Sequence, residues 1–62
     1  MTRLIYSAPN AAWFFIFGDA PLRLENEELF FATRLGAIEA AQRHGLQVSR
    51  TGDVTTSEAS NG

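Results

Sequence analysis

The chain has 62 residues, of which 45% are hydrophobic, 19% charged and 11% aromatic, with a formal net charge of -2. That is the usage of one small globular domain, and a domain of this size buries only about 60% of the surface its unfolded chain exposes. Such a chain has no room for a solenoid, a second domain or a deep catalytic cavity, and without cysteine it has no disulfide framework, thiolate nucleophile or cysteine zinc site.

The first half reads as strand. Arg3 to Ser7 alternates, with Leu4 and Tyr6 on one side and Arg3, Ile5 and Ser7 on the other. Ala8-Pro9-Asn10-Ala11 is a turn signal, since proline presets one backbone angle and Asn10 tolerates left-handed geometry. Ala12 to Phe17 is too short for an independent helix and is dense in aromatics, which predicts a strand. Gly18-Asp19-Ala20-Pro21 is a second turn signal, and Leu22 to Glu25 alternates as a third strand running loosely toward Leu29-Phe30-Phe31.

A helix is predicted to open at Thr33, whose hydroxyl can cap an orphan N–H. Leu35, Ile38 and Ala41, with Ala37, form its apolar stripe, and Glu39 and Arg43 are an i,i+4 pair in the favourable order. Gly36, Ala40 and His44 form a small-residue row expected to approach the sheet near Trp13, and Gly45 is placed to end the helix after about three turns. Leu46 to Arg50 alternates again, Thr51-Gly52-Asp53 is a turn, and Val54 to Thr56 is a short returning strand. The expected fold is α+β: a three- to four-stranded antiparallel sheet in β-β-β-α-β order with one helix on one face, a single domain over 1–56 and a disordered polar tail over 57–62.

The second strand carries the most information. Trp13, Phe15 and Phe17 alternate with Phe14 and Ile16, so both faces are apolar. A sheet covered on one side normally turns polar residues outward, and one helix covers one side. Either the chain around Leu29 to Phe31 folds over the second face, or a partner does. The small-residue helix face suits the bulkier set, so Trp13, Phe15 and Phe17 are expected under it. Ile5, Phe14 and Ile16 then form the outward interaction face.

No catalytic, metal or cofactor constellation appears. His44 has neither a cysteine nor a second histidine to complete a site, and its place in the last helical turn suits a structural role. Glu25, Glu27 and Glu28 lack calcium-loop spacing and read as a solvated bend. The serines have no nucleophile context, and no glycine-rich phosphate loop exists. All five basic residues are arginine (Arg3, Arg23, Arg34, Arg43 and Arg50), scattered rather than clustered, which fits a G+C-rich genome better than a phosphate site. The near-neutral charge gives little pull toward nucleic acid or anionic membrane. The longest apolar run, Ala11 to Phe17, falls far short of the roughly 20 residues of a membrane span. A cytoplasmic, soluble protein is expected.

From Phe31 to Ala41 the chain resembles a class of short uncharacterised bacterial and phage proteins. They carry an early Trp-bearing strand, then F-x-T-(K/R)-x-x-A-I-x-x-A opening a helix, then a strand with a glycine turn. Trp13, Phe31, Thr33, Arg34, Ala37, Ile38, Ala41 and Gly52 occupy those places, and the likeness spans most of Trp13 to Val54. The lysine-free, Phe-rich second strand and Gly36 depart from it. The resemblance implies a sheet-plus-helix fold and no activity. The reading is therefore a non-enzymatic interaction module that self-associates, most simply as a homodimer, without cofactor or small-molecule substrate. The alternatives are single-stranded nucleic-acid binding through sheet aromatics and arginines, and a phage or mobile-element inhibitor of a host complex.

Overall fold

A computed structural model describes residues 1–56, and the tail expected over 57–62 lies outside them. Strand β1 (Thr2–Ser7) turns through Ala8–Ala11 into β2 (Ala12–Phe17), and Gly18-Asp19 carries β2 into β3 (Ala20–Leu22). After a connection comes α1 (Arg34–Arg43), then β4 (Leu46–Val48) and β5 (Asp53–Thr56). The result is an α+β fold with one antiparallel sheet in the order β3-β2-β1-β5-β4. It has five strands rather than three or four, because the returning segment at Asp53 is inserted between β1 and β4.

The third strand both starts and ends earlier than its alternation suggests: Ala20 and Pro21, expected in the turn, pair with Phe17 and Ile16, and the pairing stops at Leu22. Position 13 of β2 is taken by Phe31, which exchanges two 2.8 Å backbone hydrogen bonds with Trp13. Residues beyond Leu22 are thereby displaced from the edge of β2. Glu27 N–H donates to Leu24 O at 3.0 Å, closing a turn in which Asn26 takes the left-handed region at φ 64°. Asparagine tolerates that geometry better than most residues.

The helix is capped as its sequence indicates. Gly36 N–H donates to Thr33 Oγ1 at 3.0 Å, and Gly45 follows the helix at φ 74°. Its inward face differs from the predicted stripe. Ala37, Ala40 and Ala41 are fully buried, while Leu35 is 63% exposed. The reason is angular: at 3.6 residues per turn, Leu35 points about 200° away from Ala37. Gly36 is likewise tied to the cap rather than to Trp13, since a Cβ there would meet Thr33 Oγ1 at 3.1 Å.

The core forms where alanines bring the helix close to the sheet. Leu4, Phe15 and Val54 meet Ala37 and Ala41, with Trp13, Leu22, Leu24, Phe31, Ile38, Leu46 and Val48 packed around them. Cross-strand register explains the set. Leu4 faces Phe15, Phe15 faces Leu22, and Val48 faces Val54, all on one side of the pleat.

Candidate interaction surface

The same register fixes the opposite face. Ile5 pairs with Phe14, and Arg3 with Ile16, so Ile5, Phe14 and Ile16 lie side by side on the face away from the helix. All three are half-buried, and none belongs to the core cluster. Pro21, opposite Ile16, extends the patch toward the β3 edge. At its other border Arg3 pairs with Asp53 across β1 and β5, with Nε and Oδ1 3.7 Å apart and both side chains about half exposed. An apolar centre is thus bordered by one charge of each sign.

One further residue joins this face, and the alternation of β2 does not announce it. Phe30 and Phe31 straddle the edge of β2. Phe31 turns inward, its ring centroid 5.9 Å from that of Phe15. Phe30 turns outward, 5.5 Å from Phe14 in an edge-to-face arrangement, and stays 37% exposed. Such ring geometry contributes about 0.5–1.5 kcal/mol beyond burial. The chain around Leu29 to Phe31 thus covers part of the outer face itself, with Phe30 over Phe14.

The inward set is incompletely sheltered as well. Phe15 is 1% exposed, yet Trp13 is only half-buried and Phe17 is 60% exposed. Phe17 was expected under the helix, but it ends β2 opposite Thr2 and Ala20, where neither neighbour is large enough to cover its ring. Tyr6, 52% exposed, stacks edge-on against Trp13 at 5.2 Å.

The acidic bend is not merely solvated. Glu27, whose side chain is 13% exposed, collects both polar side chains at the end of α1. Arg43 donates Nη2–H to Oε1 at 2.9 Å and Nε–H to Oε2 at 3.1 Å, and His44 Nε2 lies 3.2 Å from Oε2. Arg43 thus donates its hydrogen bonds to the connection, at Glu27, rather than to Glu39. The hydrogen bonds from Arg43 hold the Glu27 carboxyl below its ordinary value against the opposing effect of burial, and Glu27 in turn raises Arg43. His44 caps the helix and completes the cluster.

Among the described residues there is no pocket, no group of three side chains able to hold a metal ion, and no helix long and apolar enough to cross a membrane. What the fold presents is an antiparallel α+β sheet whose outer face carries the partly exposed apolar side chains Ile5, Phe14, Ile16 and Phe30. No family model, curated protein or solved structure matches the chain.

Proposed function

We propose that this protein is a non-enzymatic interaction module that docks a second copy of itself through the outer sheet face, at Ile5, Phe14, Ile16 and Phe30. The observation that carries this reading is the incomplete burial of β2. On its outer side Phe14 and Ile16, with Ile5 beside them, each keep part of their apolar surface exposed, and Phe30 over them is 37% exposed. Contiguous apolar surface on a small domain marks a place of association.

A second copy suits the face for two reasons. Sheets stack face to face about 10 Å apart, the depth that interdigitating Phe and Ile side chains fill. The rim also carries both charge signs, Arg3 beside Asp53, so a second copy meets no unbroken like-charged border. A net charge of -2 opposes such docking only weakly.

Magnitudes limit the affinity. Full burial of a Phe or Ile contributes about 1.5–3 kcal/mol, so covering the minor part that each of these side chains leaves exposed contributes at most about 1 kcal/mol. Four such side chains from each copy stay at or below the gross energy of a micromolar complex, before the cost of association. The dimer is expected to be weak and to need high protein concentration.

Phosphate is less well served. Four of the five arginines are occupied: Arg3 by Asp53, Arg23 by Glu27 O, Arg34 by Ser49 O and Arg50 O, and Arg43 by Glu27. Stacking of single-stranded nucleic acid on Phe14 and Phe30 would have few cations to hold the backbone.

Sedimentation equilibrium over a concentration series tests the proposal. The parent is expected to rise in mass with concentration, and Phe14→Ser to remain a folded single copy by circular dichroism. A parent of constant mass up to its solubility limit, or a Phe14→Ser variant that associates like the parent, overturns it.

A further inference from the structure

The connection between β3 and α1 is a strap fastened at two points. One is the two-way backbone pairing of Phe31 with Trp13. The other is Glu27, bound to Arg43 and His44 at the far end of the helix and steadied by Arg23 Nη1–H donating to Glu27 O at 3.3 Å. Only Glu28, Leu29 and Phe30 lie between them. Even fully extended, so short a span reaches at most about 14 Å, so the position of Glu27 restricts the position of Phe30.

The helix end offers Arg43 a second acceptor. Glu39 stands one turn earlier, in the order that favours an i,i+4 pair on an isolated helix, and its charge already acts on Arg43. The groups facing the cluster are Arg43, His44 and Glu39 from the helix and Arg23 and Glu27 from the strap. A carboxylate beside a helix C-terminus is opposed by the helix dipole, whereas cations there are favoured. Glu27 is therefore held in place by Arg43 and His44, not by the helix itself.

We propose that Glu27 is a latch: while Arg43 is bound to Glu27 the strap holds Phe30 against Phe14, and when Arg43 turns to Glu39 the strap loosens and Phe30 leaves the outer face. The consequence for docking rests on the outer face being the interface. In the latched state Phe30 is part of that face, and in the released state Phe14 stands uncovered.

The test reads the single copy directly and does not depend on association. Proton NMR and amide hydrogen exchange are recorded on the full chain, dilute enough to sediment as one copy. The variants are Glu27→Gln, which removes the charge that holds Arg43, and Glu39→Gln, which removes the competing charge without touching the strap. Glu27→Gln is expected to lose the Phe14–Phe30 ring-to-ring cross-peaks and the protection of the Phe31 and Trp13 amides, while the Leu4 and Phe15 amides stay protected. Glu39→Gln is expected to raise Phe31 protection above the parent. Retained cross-peaks and protection in Glu27→Gln overturn the latch. So does loss of protection throughout that variant, which makes Glu27 a global tie. Equal or lower Phe31 protection in Glu39→Gln overturns the role of Glu39 as the alternative partner. Sedimentation of the parent separately decides docking, so failure of one proposal is distinguishable from failure of the other.

Discussion

Ala11 adopts φ 51° in the turn between β1 and β2. The turn itself is legible in Pro9-Asn10, but the residue that turns left-handed is one position later than Asn10, the residue chemically suited to it. The hydrogen bonds explain the shift. Asn10 N–H donates to Ser7 O at 3.2 Å, Ala11 N–H donates to Ala8 O at 3.1 Å, and Asn10 Nδ2–H reaches Ser7 Oγ at 2.8 Å. Asn10 is thus engaged in closing the turn, and the chain reverses at Ala11 to enter β2. An alanine Cβ costs roughly 1–2 kcal/mol in that geometry. Glycine removes this cost and adds roughly 0.5–1 kcal/mol of chain entropy to lose. Ala11→Gly is therefore expected to stabilise the fold by about 0.5–1 kcal/mol, raising Tm by about 2–8 °C in a domain of this size. Thermal unfolding followed by circular dichroism checks it. A lower Tm means that the turn relieves the alanine strain by other means.

Helix α1 shows which features of an element can be read locally. Its start at Thr33 and its stop at Gly45 are written in residues whose backbone chemistry acts within one turn, and both stand where expected. Its pairing partner is not local. The i,i+4 spacing of Glu39 and Arg43 is visible in the sequence, but Glu27, 16 residues before Arg43, wins the guanidinium. It does so with two hydrogen bonds from a less exposed position, where charge-assisted bonds are less screened. The consequence is a particular acid dependence. The folded Glu27 carboxyl sits below its ordinary value, first because of the Arg43 hydrogen bonds. Its contribution to stability is then complete above the unfolded carboxyl value and is lost as pH falls through the folded one. Urea midpoints of the parent and Glu27→Gln, measured from neutral pH downward, are expected to differ most at neutral pH and to converge in acid. A gap that stays constant across that range contradicts the assignment.

At the scale of the whole molecule, the alternation of each strand gave the faces, but the sheet order lay outside local pattern. β5 pairs with β1 from the other end of the described chain, through Thr2 opposite Val54 and Arg3 opposite Asp53, and Leu4 N–H donates to Gly52 O at 2.7 Å. This closure places β1 at the centre of five strands and gives β2, the most apolar strand, only β3 and Phe31 on its outer edge. Stability should then rest on few side chains. At about 0.05–0.15 kcal/mol per residue, a domain of this length holds roughly 3–9 kcal/mol in all. Phe15, the largest fully buried side chain, accounts for much of it: Phe15→Ala is expected to cost about 3–5 kcal/mol, a large share of that total, read as a fall in the urea midpoint. The outer face behaves differently because its side chains are only half-buried in one copy. If two copies share it, the urea midpoint of the parent must rise with protein concentration, since association stabilises the folded form by mass action. For Phe14→Ser the midpoint should be lower and independent of concentration. A parent midpoint that does not move with concentration would leave the outer residues as the solvent-facing side of a single copy, with their remaining apolar surface in water.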